Sequence, residues 1–401
     1  MQLMNKEVHF MDKRAIIISK IDQIKDELIT LGKTIHQNPE LAFNEYNAVE
    51  NITTMLIKYG FTIEKGKGQL ETAFKAEYNG KGEGPVVAFL AEYDALPEIG
   101  HGCGHNLIAT MAVGAAIGLR EVINDIDGKI VVLGTPAEEG GGGKILMLEE
   151  GYFDDIDYAL MMHPCVNNMI ARGGLATIGI KIEYYGKSVH SAYPEGGINA
   201  LQAVIQTFNM IDQFRALFPL KTNISGIITN GGKASNIIPD YASCEFTLRA
   251  DTVKDLKIVE GYIDHIVESI ENLIGVKSNL EKSMVYTERY PNRCIDERLK
   301  KNIAQFGVDM KYPDPDMKYG SSDIGNVSLK VPTIHSYIKI ADKGVNSHSM
   351  DFTKASNSSR AYEEIIKATK AMALTGFDIL TDENLRENIN KEFINTVPKY
   401  V

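Results

Sequence analysis

The sequence predicts an α/β protein: a mostly parallel sheet with helices on both faces, interrupted by a smaller ferredoxin-like α+β domain. Three observations carry this expectation. Short, almost wholly apolar runs such as "PVVAFL" and "KIVVLG" alternate with helix-spaced segments, as in a buried parallel sheet. After Gly174 the pattern changes to the in-out alternation of a half-exposed strand, "TIGIKIEYYG". At 401 residues the chain is also long for a single core.

The elements follow in order. Ile17, Ile21, Ile24, Leu28 and Leu31 keep helical spacing and predict one amphipathic opening helix. A second helix is expected over "NAVENITTMLIKYG", closed by Gly60. Strands are expected at "TAFKAEY", "PVVAFLAEY", "KIVVLGT" and "DYALMM", with helices at "NLIATMAVGAAIGLREVI" and "GGKILMLEEG". The middle third reads strand "TIGIKIEYYG", helix "INALQAVIQTFNMIDQF", strands "NISGIITNGG" and "ASCEFTLRA", a helix from about Val253, and a strand near "KSNLEKSMVY". That order, βαββαβ, makes a ferredoxin-like sandwich. Beyond "YPNRCIDERLKK" the α/β style returns with a strand at "TIHSYIKI" and a helix from about Phe352. The expected boundaries are 1–175 and 289–401 for the discontinuous α/β domain and 176–288 for the inserted one.

Composition narrows the function. A net charge of −11 argues against a phosphate-binding face and hence a nucleic-acid partner. With no run of the ~18 apolar residues that span a bilayer, no membrane partner is expected. The first residues lack the apolar core of a signal peptide, so a cytoplasmic location is expected. Cys103, Cys165, Cys244 and Cys294 are too few and too far apart for a disulfide framework.

Reactive groups in an open α/β sheet collect beyond the carboxyl ends of the strands. After "PVVAFLAEY" come Asp94 and then "GHGCGHN", with Cys103 and His105. After "KIVVLGT" comes "PAEEGGGG", with Glu138 and Glu139. After "DYALMM" comes His163, and after "TIHSYIKI" comes "NSHSMDF" with His348. Four strands thus deliver thiol, carboxylate or imidazole to one rim.

A mixed Cys/His/Glu set suits a borderline-soft divalent ion such as zinc, with manganese and cobalt also admissible. Dispersed ligands that include carboxylate are the catalytic style, and the donors suffice for two ions if Cys103 or a carboxylate bridges them. Of the adjacent pair Glu138 and Glu139, one can bind metal while the other takes a proton from water.

Other readings compete. A cysteine-nucleophile hydrolase would use Cys103 with a histidine base, but leaves the glutamate pair, His163 and His348 unexplained. A metal-binding module explains the ligands and not the spare carboxylate. "EEGGGGK" fails as a phosphate loop because Ile145 follows Lys144. Taken singly, His9, His36, His265 and His335 read as structural hydrogen-bond donors.

The segments "AEYDALP", "GHGCGHN", "TPAEEGGGG", "MMHP", "GKSVHSAYPEGGINAL", "SNIIPD" and "GSSDIGN" resemble, in order, the two-metal aminoacylase/carboxypeptidase family of peptidase clan MH. The likeness is strongest to its amidohydrolase branch, which includes indole-acetyl-amino-acid hydrolases, p-aminobenzoyl-glutamate hydrolases and bacterial broad-specificity amidohydrolases. It runs from "HQNPELAFNEY" to "NSHSMDF". The resemblance implies a zinc-peptidase-like catalytic domain with an inserted lid used for dimerisation, and a homodimer or homotetramer. It also implies metal-dependent hydrolysis of amide bonds in N-acyl amino acids, dipeptides or p-aminobenzoyl-glutamate-like substrates, with endopeptidase or aminopeptidase action as the alternative.

By motif, Cys103, His105, Glu139, His163 and His348 would be ligands of two divalent ions. Glu138 would be the general base, Asp94 would orient the metal side, and His190 would stabilise the oxyanion. Asn236 and Arg249 would hold a substrate carboxylate. The chain departs from many relatives where Glu92-Tyr93-Asp94 replaces His-x-Asp, where Asn106 replaces Asp, and where Val189 replaces Ala.

Overall fold

The computed structural model describes residues 2–399, with side chains from residue 12. It divides into two compact units. The first comprises residues up to Gly173, 289–318 and from Asp323 onward; the second comprises 174–288 and 319–322.

The first unit carries β1 (Thr62–Lys65), β2 (Phe74–Asn79), β3 (Val86–Glu92), β4 (Lys129–Thr135), β5 (Tyr158–Cys165) and β10 (Thr333–Lys339). Their order across the sheet is β1-β2-β4-β3-β5-β10. The four strands β4, β3, β5 and β10 are parallel, while β1 and β2 form an antiparallel edge. Helices cover both faces, so β3 and β4 are buried nearly end to end, which is why they read as apolar runs rather than alternations. On one face the helix His105–Ile123 packs with the opening helices and with Ser359–Thr381 around Phe89, Leu160 and Ile334. The other face buries Leu90, Leu133 and Met161 under Met147, Ile324 and Val327. By composition His105–Ile123 is long and apolar enough to cross a membrane, but its apolar surface is spent inside this core.

The second unit carries β6 (Ala176–Tyr185), β7 (Asn223–Asn230), β8 (Tyr241–Ala250) and β9 (Lys277–Lys282), all antiparallel in the order β7-β8-β6-β9. Alternate residues of β6 turn towards the helices Ala200–Phe214 and Val253–Ile274, giving this unit its own core. This is the ferredoxin-like βαββαβ arrangement.

The structure differs from the sequence-based expectation in two split helices and in elements that were not expected, among them β1 and the helices Ile324–Lys330 and Glu383–Thr396. The opening helix is two, Gln2–Gln23 and Lys25–Gln37, broken at Ile24 with ψ near 8°. Ile17, Ile21, Ile24, Leu28 and Leu31 are nevertheless all buried, so the apolar stripe continues through the break. The helix expected from about Phe352 is likewise two, Met350–Ala355 and Ser359–Thr381, because the Ser358 side chain accepts from Ala361 N and starts a new helix. "RCIDERLKKNIA" forms a further helix, Arg293–Ala304, that its polar composition conceals.

Candidate active site

The peptide "GHGCGHN" crosses from β3 to the helix that starts at His105. Gly104 has φ +81°, and a Cβ there would lie 2.7 Å from Pro164 Cγ, just after His163 on β5. Glycine at this position therefore lets the Cys103 loop close onto β5, where Cys103 Sγ comes within 3.4 Å of His163 Nε2. The loop is held from the other side by His348, whose backbone N–H donates to Gly102 O at 2.9 Å. His348 has φ +60°, a strained conformation for a non-glycine residue and one that clusters at functional sites.

Asp94, two residues beyond the end of β3, ties two loops together. Its Oδ1 accepts from His105 Nδ1 at 2.8 Å, and its Oδ2 accepts from Glu139 N at 2.9 Å. The Glu138–Glu139 loop is braced again by buried Glu45, whose Oε1 accepts from Ala137 N at 2.9 Å. Ala137 itself has φ +56°.

The donor atoms converge. His105 Nδ1 is engaged by Asp94 and His163 Nδ1 by Pro164 O at 2.6 Å, so each turns Nε2 to the same space. Burial opposes a charged His105, but Asp94, Cys103 and Glu92 outweigh it and raise it well above the ordinary imidazole range, a preference that a bound cation reverses. His348 Nε2 lies 3.4 Å from Glu139 Oε1. Two sets of donors lie within 4.8 Å of one another and share a sulfur: Cys103 with His105 and His163, and Cys103 with Glu139 and His348. A third set is His105, Glu138 and Glu139. His105 Nε2 and Glu139 Oε1 are buried without a hydrogen-bond partner. Orphaned nitrogen and oxygen atoms beside a thiol fit a divalent ion of borderline softness.

The electrostatics fit as well. Burial pushes the Cys103 thiol far above its ordinary range, a preference that a bound cation reverses. Burial and the nearby His105 hold His163 down to about 4, so it stays a neutral donor. Burial, together with Glu92, Asp323 and Glu139, raises Glu138 well above the usual carboxylate range, giving it affinity for a proton. Glu139 is lowered: burial opposes its ionisation, but His348 and His105 outweigh it.

Glu92, Lys144 and Asp323 are functional-site neighbours that the sequence reading did not single out as a group. Lys144 is wholly buried, with Nζ 2.6 Å from Glu92 Oε1 and 2.8 Å from Asp323 Oδ1. A Cβ on Gly143 would lie 1.9 Å from Pro136 O, so glycine lets the Lys144 helix fold back over the loop leading to Glu138. Glu92 Oε2 is also 3.4 Å from His105 Nε2, and Glu92, Glu138 and Asp323 form a fourth convergent donor set. The available signal was weak: a lysine after four glycines, and a glutamate in place of histidine.

His190, Asn236 and Arg249 lie in the second unit. His190 is exposed on the loop after β6, and its Nδ1 accepts from Ala192 N at 3.1 Å, which leaves the proton on Nε2. It pairs with Ile237 in an isolated bridge, and Ser191 N donates to Asn236 O at 2.9 Å, so His190 and Asn236 are neighbours. Arg249, half-buried on β8, donates Nη1–H to Ser321 Oγ at 2.7 Å.

Residues 170–272 match the sequence profile of a peptidase dimerisation domain. The chain is 34% identical to the Xaa-Arg dipeptidase of Mus musculus, covering 96% of this chain and 93% of that protein. It is 24% identical to a p-aminobenzoyl-glutamate hydrolase polypeptide of Escherichia coli K12, covering 93% of each. In fold it is similar to a dinuclear metal binding peptidase from the M20 family of Bacillus subtilis, with a TM-score of 0.64 at 19% identity over 88% of this chain and 98% of the other.

Proposed function

The chain belongs to the M20 family of peptidases and amidohydrolases, and from that premise we propose that Cys103, His105, Glu139, His163 and His348 hold two divalent ions at which Glu138 promotes amide hydrolysis. It is a metal-dependent amidohydrolase, an enzyme acting on C–N amide bonds. The observation that carries the finer reading is the pair of donor sets sharing the Cys103 sulfur, with Glu138 in a further set alongside.

When bound, paired divalent ions supply Lewis acidity towards a water and the amide carbonyl. Cys103 is shared by the two donor sets, His105 and His163 complete one, and Glu139 and His348 complete the other. Asp94 fixes the His105 tautomer through its hydrogen bond. Glu138, held with raised proton affinity, takes the proton of the attacking water and passes it to the leaving amine. His190, with its proton on Nε2, has the donor that an oxyanion requires. A cysteine nucleophile is disfavoured, because it needs a lowered thiol pKa and burial pushes Cys103 the other way.

Substrates are N-acyl amino acids, dipeptides or p-aminobenzoyl-glutamate-like amides with a free carboxylate, which Asn236 and Arg249 bind. Zinc is the ion best matched to the donors. Dimerisation uses the second unit, in keeping with the matched profile and with the exposed Ile227 and Ile228 on edge strand β7.

The test is amine release from a panel of N-acyl amino acids and dipeptides, comparing chelator-stripped protein with protein given zinc, manganese or cobalt. Activity lost on stripping and regained with metal is expected. Activity indifferent to stripping would restore the Cys103-nucleophile reading.

A further inference from the structure

Residues 40–45, "ELAFNE", supply no ligand, base or oxyanion donor, yet they meet two of the loops that do. Glu40 O accepts from Ala95 N at 2.8 Å, next to Asp94. The Glu40 side chain accepts from Asn47 N and Ala48 N, both at 3.0 Å, satisfying amides that the first turn of the helix Tyr46–Lys58 leaves open.

Phe43 and Glu45 both reach the Glu138–Glu139 loop. A Cβ on Gly141 would lie 2.3 Å from Phe43 Cε2 and 2.9 Å from Ala137 Cβ, so ring and methyl close on that glycine. Glu45 is fully buried; its Oε1 accepts from Ala137 N at 2.9 Å and its Oε2 from Thr72 Oγ1 at 2.7 Å. The Tyr93 hydroxyl donates to Thr72 O, which joins the same clamp to the residue before Asp94.

Two features set this contact apart from ordinary packing. Phe43 and Ala137 both have left-handed backbones, with φ +60° and +56°, and neither is glycine. Such strain persists only where the surroundings over-determine it, and it clusters at functional sites. Glu45 is also a buried acid held by a backbone amide and a hydroxyl, with no ion pair among the described residues. Burial raises its carboxyl to about 7, the mark of a group placed where its charge is disfavoured. What that carboxyl fixes is the amide of the residue before Glu138.

We infer that Glu45 is a positioning residue for amide hydrolysis: it holds Ala137 in its left-handed turn and thereby aims the Glu138 carboxylate, with Phe43 packed on Gly141 beyond. The aim rests on Glu138 as the base; the hold of Glu45 on the loop does not.

The test uses metal-loaded full-length protein and an N-acyl amino acid that the wild type hydrolyses. It compares Glu45→Ala, Glu45→Gln, Glu138→Gln and a variant carrying both Glu45→Ala and Glu138→Gln. Glu45→Ala should lower kcat by about 10–100-fold, the scale of a displaced catalytic group, with KM and metal content near wild type. Glu45→Gln should restore most of the rate, because its amide oxygen can accept from Ala137 N and its amide nitrogen can donate to the Thr72 hydroxyl. The double variant should be no slower than Glu138→Gln alone, since Glu45 then has no base to aim. A reading without turnover comes from hydrogen exchange on metal-stripped protein. Amides of residues 137–141 should exchange faster in Glu45→Ala than in wild type and recover in Glu45→Gln.

An unchanged kcat in Glu45→Ala, a fall matched by loss of metal, a glutamine variant as slow as the alanine one, or effects that multiply in the double variant would each overturn the inference. Should Glu45→Ala fail to fold, Thr72→Val removes one partner of the carboxyl at nearly constant volume and enters the same cycle, with the same directions expected. An active Glu138→Gln would overturn the base rather than the brace. Faster exchange with slower turnover in Glu45→Ala would then uphold the hold on the loop, and unchanged exchange would remove it.

Discussion

Asp94 accepts the Nδ1 proton of His105 at 2.8 Å in a fully buried contact, and this one bond decides which nitrogen of His105 faces the donor cluster. The same carboxylate holds the Glu139 backbone through its other oxygen. A residue with no place in the ligand set thereby orients two members of it.

Asp94→Asn keeps the shape of that contact but removes the charge that favours the Nδ1–H tautomer. Metal affinity should fall by about 10–100-fold, the usual effect of losing an outer hydrogen-bond partner. Competition with a chromogenic chelator measures it, and unchanged affinity would remove Asp94 from the orienting role.

Cys103 belongs to both three-residue donor sets. Cys103→Ala should therefore reduce bound metal at both positions together, whereas His163→Ala and His348→Ala should each weaken one set. Metal analysis after gel filtration distinguishes these patterns. Loss of a single ion in Cys103→Ala would show that the sulfur does not bridge.

Lys144 compensates two buried carboxylates, Glu92 and Asp323. Lys144→Met leaves both charges unmatched and should destabilise the fold by roughly 3–5 kcal/mol, the range for breaking a buried ion pair by removing one partner. Adding Glu92→Gln and Asp323→Asn should restore most of the loss. Denaturant unfolding of the single and triple variants gives the comparison.

Asp296 is wholly buried, and burial raises its carboxyl to about 7 against an ordinary 3.8. Its contribution to stability is present below about pH 4 and declines as pH rises through about 7, because the unfolded chain ionises first. Ser336 and the Ala171 backbone hydrogen-bond its two oxygens, partners an asparagine can largely keep. The melting temperature of Asp296→Asn should therefore gain on wild type between pH 5 and pH 8, by an amount corresponding to about a few kcal/mol. A constant difference across that range would contradict the raised value.

The sequence made parts of this molecule plain and hid others for physical reasons. β3 and β4 are buried on both faces and β6 on one, so continuous and alternating patterns separate the two sheets without a structure. The residues at the ends of β3, β4 and β5 are legible because parallel strands deliver their carboxyl ends to one rim. The Lys144–Asp323 contact spans 179 residues, and nothing local in either segment announces it. The break at Ile24 is hidden because the apolar stripe runs straight through it, and Arg293–Ala304 because its charged residues dilute its apolar face. His335 was visible only as a lone histidine in a strand; that its ring nitrogens have no hydrogen-bond partner depends on tertiary packing.

The most direct test of the two-ion hydrolase is Glu138→Gln, measured for metal content and amine release on one sample. Glutamine removes the proton acceptor and keeps its volume. Turnover should fall by about 10²–10⁴-fold, the range for losing a general base, with metal content at the wild-type value. Activity retained at wild-type metal content would contradict Glu138 as the base, and parallel loss of metal and activity would make it a ligand instead.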